Sequence, residues 1–247
     1  LIIAAVTVGV IAAGIYFSGI RYITSNTEDG LTIKYFGRVD KDGTLLTGKL
    51  YYSDGMTAEV DMQKNSIVYS NGDIYEGGIS DLKKNGTGKI IYASGDVYEG
   101  EFVNDKLTGT GKYSFANGDV YEGTLVDGKK DGTGTYTWVD GSSYTGSYTN
   151  DMKNGEGKYT WSDGSSYEGT YVNELKEGKG TYTFANGDVY TGDFKADVRT
   201  GEGKYTWANG EFYEGSFVDN KMSGKGKYTW PSGRVYEGTF ENGKIVK

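Results

Sequence analysis

The sequence predicts an all-β fold: an elongated, twisted, single-layer antiparallel sheet of stacked β-hairpins, preceded by one transmembrane α-helix. Three observations predict it. A Tyr-x-Gly signature returns every 23 residues, from Tyr75-Glu76-Gly77 to Tyr236-Glu237-Gly238, without a slip. A fixed period of this size marks one supersecondary unit stacked many times. Most periods also carry Asn-Gly, Asp-Gly or Ser-Gly between runs of alternating aromatic residues, the strongest short-range hairpin signal. Finally, Leu1 to Ile20 contains no charged residue. Twenty helical residues at about 1.5 Å each span the roughly 30 Å hydrocarbon core of a bilayer.

In chain order, residues 1–23 are expected to form the transmembrane helix, closed by Arg21 and Tyr22 at the membrane interface. The competing reading is the apolar part of a secretory signal, for which the run is long. Arg21 and Lys34 flank Glu28 and Asp29, so the segment after the helix is only weakly basic. With one apolar run the chain is expected to be a single-pass membrane protein, and the weakly basic flank favours repeats lying outside the cytoplasm. Residues 24–30 form a polar linker. Residues 31–74 are a degenerate N-terminal cap: Tyr35-Phe36-Gly37 is in phase, Ala58 stands where tyrosine is expected, and the next signature follows after only 17 residues. Residues 75–247 hold seven full repeats and a terminal half repeat, Tyr236–Phe240, whose edge is blunted by Glu241, Lys244 and Lys247.

The hairpin register follows from the side-chain period of two. A three-residue loop Ser162-Asp163-Gly164 pairs Trp161 with Ser165, Tyr159 with Tyr167 and Gly157 with Gly169, which puts every aromatic column on one face. The same register sets Lys158 opposite Glu168 on the other face. Lys89/Glu99, Lys112/Glu122, Lys204/Glu214 and Lys227/Glu237 repeat the pair, and the two exceptions, Thr135/Thr145 and Thr181/Thr191, change both partners together. Such pairs favour the register by about 0.2–1 kcal/mol each, so these charges read as a solvated face rather than as chemistry. Between hairpins a short loop is expected, as in Asn104-Asp105-Lys106-Leu107-Thr108-Gly109. One apolar residue there (Leu107, Met152, Leu175, Val198 or Met222) is expected to tuck over the sheet edge.

The candidate interaction face is the aromatic one: Tyr136, Trp138, Tyr159, Trp161, Tyr167, Tyr182, Phe184, Tyr190, Tyr205, Trp207, Tyr213, Tyr228 and Trp230. Paired glycines such as Gly157 and Gly169 sit among these rings and let a ring fold over the backbone. A single-layer sheet has no second layer to cover the face completely, and exposed aromatic strips are candidate binding surfaces.

Composition narrows the function classes. The chain has no Cys and no His, which removes thiol nucleophiles, imidazole bases and nearly all zinc sites. A net charge of −8 is the wrong sign for a general nucleic-acid or anionic-lipid binder. Carboxylates are plentiful but repeat uniformly, whereas a catalytic site needs one perturbed, unique constellation. No enzyme, metal or cofactor is therefore expected.

The unit Tyr98-Glu99-Gly100-Glu101-Phe102, continued by Gly109-Thr110-Gly111-Lys112-Tyr113-Ser114-Phe115-Ala116-Asn117-Gly118, resembles the MORN repeat. The resemblance covers 75–247 strongly and 31–74 weakly. It implies an antiparallel rod of hairpins with an aromatic groove and no catalytic residues. It also implies roles in membrane junctions and scaffolds, with protein or lipid binding in some members. The expected function is a membrane-tethered scaffold that binds a protein partner through its aromatic face or an edge. A cell-wall or surface glycan binder and a lipid-headgroup binder are the alternatives.

Overall fold

The computed structural model describes residues 19–27 and 30–246, and no helix occurs among them. They form two compact units. One takes the residues up to Asn117 together with Leu125–Gly128; the other takes Gly118–Thr124 and the residues from Lys129 onward. The strands of the first unit are β1 (Ile20–Asn26), β2 (Thr32–Val39), β3 (Leu45–Tyr52), β4 (Thr57–Asp61), β5 (Ser66–Tyr69), β6 (Ile74–Ser80), β7 (Lys83–Ile91), β8 (Val97–Val103) and β9 (Lys106–Ser114). Each pairs antiparallel with the next. Strand β10 (Val120–Val126) is divided between the units. The second unit continues with β11 (Lys129–Thr137), β12 (Ser143–Thr149), β13 (Met152–Thr160), β14 (Ser166–Val172), β15 (Leu175–Thr183) and β16 (Val189–Lys195). It closes with β17 (Val198–Thr206), β18 (Phe212–Val218), β19 (Lys221–Thr229), β20 (Val235–Glu241) and β21 (Lys244–Ile245). Here too each strand is antiparallel to the next.

The register derived from the aromatic columns is the one observed. Gly157, Lys158 and Tyr159 face Gly169, Glu168 and Tyr167. The Trp161 amide donates to the Ser165 carbonyl at 2.9 Å and the Gly164 amide to the Trp161 carbonyl at 2.9 Å. Gly164 takes the left-handed third position of the loop, φ 84°, which glycine occupies without steric cost. On the opposite face Lys158–Glu168 and Lys204–Glu214 close at 3.6 and 3.0 Å. The hydroxyls of Thr135/Thr145 and Thr181/Thr191 meet at 2.9 and 3.2 Å.

The connections between hairpins correct the sequence reading. They are two-residue turns, not six-residue loops: Val103 pairs with Lys106 and Phe102 with Leu107. Asn104 and Asp105 both have positive φ, 48° and 72°, the type I′ conformation that matches strand twist and that Asn and Asp tolerate. The rest of the expected loop is strand, and a bulge beyond it restores the register from Glu101↔Thr108 to Gly100↔Gly111. The apolar residues assigned to that loop come from two different columns. Met152 and Leu175 flank the turn and are 40% and 42% exposed, so they do not tuck over the edge. The C-terminal half repeat also differs, because after β20 the chain turns back and β21 pairs with its end.

The expected membrane helix over 1–23 and linker over 24–30 are corrected where they can be seen. Residues 1–18 lie outside the described residues. Ile20–Ile23 belong to β1, which runs through Asn26 and pairs with β2 from Ile20↔Arg38 to Asn26↔Thr32. Strand β2 would otherwise present an unpaired row of amides and carbonyls, and a β-branched, mixed-polarity stretch such as Ile20-Arg21-Tyr22-Ile23-Thr24 suits that edge. No helix among the described residues is long and apolar enough to cross a membrane.

In the irregular N-terminal stretch, ring and glycine change together. Tyr35 packs over Gly37 and Gly48 like a full repeat. One period later Ala58 replaces the tyrosine, and Val60, 3% exposed, replaces the glycine and fills the vacated space.

Candidate interaction face

The signature tyrosines make an inner row. Tyr144, Tyr167, Tyr190 and Tyr213 have no exposed surface. Each ring lies flat on the glycine pair that joins its own hairpin to the next: a Cβ at Gly157 would sit 2.6 Å from the Tyr144 ring, and one at Gly203 2.6 Å from the Tyr190 ring. Each hydroxyl donates to the carbonyl three residues on, as Tyr144 to Ser147 and Tyr213 to Ser216, both at 3.0 Å. Edge-to-face contacts with the neighbouring ring column complete the row: Tyr144–Tyr148 at 5.1 Å, Tyr144–Tyr171 at 5.3 Å, Tyr190–Phe217 at 4.9 Å. This geometry is favourable because ring edges are positive and faces negative. Burial pushes the hydroxyls of Tyr144, Tyr167, Tyr190 and Tyr213 up to about 12.

A second, outer row runs across every other strand of the second unit. Tyr136, Trp138, Tyr159, Trp161, Tyr182, Phe184, Tyr205, Trp207, Tyr228 and Trp230 form an unbroken ladder, with successive ring centroids 4.5 to 5.6 Å apart. These side chains are all partly exposed. The sequence-derived face thus divides in two. Its ten outer members reach the surface together, whereas Tyr167, Tyr190 and Tyr213 support them from the core and present nothing to solvent.

Two further columns shape this face and were not singled out in the sequence. Lys130, Lys153, Lys176 and Arg199 recur every 23 residues and lie over the rings between the two rows. The Lys153 ammonium is 5.6, 5.2 and 5.7 Å from the Tyr144, Tyr159 and Tyr171 centroids, and Arg199 lies 5.4 to 5.5 Å from Phe184, Tyr190 and Tyr205. The next type I′ turn supplies the counter-group: Glu174 for Lys153 at 2.9 Å, Asp197 for Lys176 at 2.7 Å, and the Asn220 side chain for the Arg199 amide at 2.9 Å. The second column is acidic. Asp119 accepts from the Tyr136 hydroxyl at 2.8 Å, Asp188 from Tyr205 at 2.6 Å and Glu211 from Tyr228 at 2.6 Å. The Tyr205 bond holds the Asp188 carboxyl below its ordinary range. Burial first, and the carboxylate second, push Tyr205 and Tyr228 up to about 12. Serine stands in this column at Ser142 and Ser165, and Ser142 hydrogen-bonds the Tyr159 hydroxyl in place of a carboxylate. The 23-residue recurrence of both columns was the available signal. Leu107 and Met222 interrupt the cation column with apolar side chains, and the apolar Met152, Leu175 and Val198 stand one position before it.

The opposite face has a shallow depression of about 710 Å³ over Gly169, Gly180, Gly192 and Gly203, rimmed by Glu156, Glu168, Lys179 and Glu202. Its charges are largely taken up locally, Lys179 by Asp193 at 2.7 Å and Glu202 by the Ser216 hydroxyl at 2.7 Å. No group of three or more acids that could hold a metal occurs among the described residues.

A family profile described as MORN repeat matches residues 75–97, 98–120, 121–143, 144–166, 167–189, 190–212, 213–233 and 236–246. No curated protein matches the chain in sequence. Among solved structures, the TCP domain of SAS-4 from Drosophila melanogaster, in complex with a proline-rich motif of Ana2, is 17% identical. The match covers 67% of this chain and 95% of that one, with a TM-score of 0.41. The TCP10 domain of CPAP from Danio rerio, in complex with a peptide of STIL, is 13% identical over 89% of this chain and 99% of that one, with a TM-score of 0.44. A streptogramin B lyase follows at 12% identity and a TM-score of 0.19, covering 94% and 86%. Scores this low assign no shared architecture.

Proposed function

Because the chain belongs to the MORN-repeat family, we propose that it is a non-catalytic interaction scaffold whose protein partner docks on the outer aromatic ladder. The observation that carries this reading is the ladder itself: ten partly exposed rings in one unbroken line between Tyr136 and Trp230. The inner row already supplies the core, so packing alone does not require a second row at the surface. The glycan alternative has less support. Sugars stack on free ring faces, and inside this ladder each ring has a neighbouring ring on either side, as Trp161 has Tyr159 at 4.5 Å and Tyr182 at 5.2 Å. Headgroup binding is opposed by the net charge of −8 and by the carboxylates that neutralise Lys153 and Lys176.

Membrane tethering belongs to the same proposal, confined now to the apolar run before Gly19, whose carbonyl accepts from the Val39 amide. Eighteen residues at about 1.5 Å each still approach the hydrocarbon thickness. Retention in the membrane fraction after alkaline carbonate washing is the expected result, and protease accessibility of the repeats in intact cells reads their side. Release by the wash would remove the tether and leave the scaffold reading standing.

The docking test is the double substitution Trp161→Ala and Trp207→Ala. Partner capture is expected to be lost while far-UV circular dichroism stays that of the parent. Capture at parental level would overturn the ladder as the docking surface.

A further inference from the structure

We propose that the ligand of the outer ladder is a basic, proline-rich segment in the polyproline II conformation, lying across the strands of the second unit. The inference rests on the ladder being a docking surface and adds what docks there.

The first argument is one of period. Each repeat contributes two strands, and at about 4.8 Å between strands equivalent ladder positions recur roughly every 9.6 Å. A polyproline II helix rises about 3.1 Å per residue with three residues per turn, and so presents equivalent side chains every ~9.3 Å. A Pro-x-x-Pro register therefore stays in step with the ladder over several repeats. An extended β-segment, at about 3.3 Å per residue with alternate side chains equivalent, repeats every ~6.6 Å and falls out of step after one.

The second argument is hydrogen bonding. A polyproline II backbone has no internal hydrogen bonds, so its carbonyls need donors. The indole N–H groups of Trp138, Trp161, Trp207 and Trp230 and the Tyr182 hydroxyl have no protein acceptor among the described residues. The indoles stand at four of five successive repeat positions, Phe184 taking the third. Aromatic grooves with indole donors are a general solution for proline-rich ligands.

The third argument is charge. The hairpin turns beside the ladder carry exposed Asp140 and Asp163, and the acidic column lies just behind. On the inner flank Lys153 and Lys176 are held by Glu174 and Asp197, Arg199 bonds the Asn220 side chain, and the Lys130 ammonium lies over the Tyr136 ring. Arg234 stacks on Trp230 at 3.8 Å and makes that end cationic, so the negative charge for Lys or Arg side chains that flank a proline-rich core lies at the turns of Asp140 and Asp163.

The test is selection of peptides from a random displayed library on the full chain in detergent micelles, repeated on the Trp161→Ala, Trp207→Ala variant. Enrichment of Pro-x-x-Pro sequences with flanking Lys or Arg, lost on the variant, is the expected result. Enrichment of sequences without that spacing, equally lost on the variant, overturns the proline-rich ligand and leaves the docking ladder intact. Enrichment indifferent to the variant, or none, overturns both. A second measurement does not depend on how the alanine variant folds. All four tryptophans of the chain lie in the ladder, so their fluorescence reports on it directly. A selected peptide should shift that emission saturably. The ring-preserving change Trp161→Phe, which removes only the indole donor, should weaken binding about threefold, the effect of one neutral hydrogen bond. Undiminished affinity of the phenylalanine variant together with a spacing-scrambled peptide binding equally well would refute the geometry.

Discussion

At the scale of single residues, two glycines in one hairpin serve different physical ends. Gly157 is needed for space: a Cβ would press into the Tyr144 ring at 2.6 Å, with the ring held below by its own core contacts. Gly164 is needed for conformation: nothing lies within 4 Å of a Cβ there, but φ is 84°. Gly157→Ala is expected to lose about 1–3 kcal/mol through overpacking, and Gly164→Ala about 1–2 kcal/mol through left-handed strain. Urea denaturation measures both. Adding Tyr144→Phe, which removes the hydroxyl beside the clash, should recover part of the first loss and none of the second. Asp188 offers a titration test. Its folded pKa lies below the unfolded value because Tyr205 donates to the carboxylate. The resulting stability is present above the ordinary carboxylate range, near pH 4, and is lost as pH falls through the folded value. Tyr205→Phe should therefore reduce stability at neutral pH and converge with the parent at strongly acidic pH. An equal deficit at both would assign the loss to packing.

At the scale of the element, the repeating unit uses two kinds of turn. The three-residue loop was legible in the sequence because its glycine recurs at one column. The two-residue type I′ turn was not, because Asn104-Asp105, Asn150-Asp151, Asn173-Glu174 and Ala196-Asp197 share no single residue type, only a tolerance of positive φ. Ala196 is the weakest of these, at φ 46° with no side-chain group to support it. Ala196→Asn, the residue found there in four other turns, should raise stability by about 0.5–1 kcal/mol, read as a higher urea midpoint at unchanged m-value. A lower midpoint would mean that the turn tolerates alanine for a reason other than backbone strain. The turns also link successive repeats: the Lys84 amide donates to Asp105 at 2.9 Å and the Lys130 amide to Asp151 at 2.9 Å. A cation column and an anion column in neighbouring repeats are thus one structural device, which a column-by-column reading of charge does not reveal.

At the scale of the whole molecule, each unit depends on rows of buried tyrosines rather than on a second layer. Burial raises the hydroxyls of Tyr144, Tyr167, Tyr190 and Tyr213 to about 12, whereas unfolded tyrosine ionises near pH 10. The neutral form is thus favoured in the fold, stability is full below about pH 10, and it is lost as pH rises toward the folded values. Alkaline titration should show tyrosinate absorbance and loss of circular dichroism rising together in that window. A gradual rise in absorbance around pH 10 with dichroism intact would contradict the burial. The sequence by itself determined that the repeats are paired antiparallel strands, the three-residue turn, the cross-strand register and the shared aromatic face. Each of these follows from local periodicity, from glycine where φ must be positive, and from paired substitutions such as Thr135/Thr145. Only the tertiary structure decided which rings on that face are surface and which are core. Tyr167 and Trp161 occupy the same face with similar chemistry, and what separates them is that Tyr167 lies down on the Gly169–Gly180 backbone while Trp161, at the mouth of its turn, has no glycine pair to cover and lines up instead with the next repeat. Tertiary pairing also decided the fate of Ile20–Asn26: an apolar run continues without a break into it, and hydrogen bonding to the open edge of β2 makes it a strand.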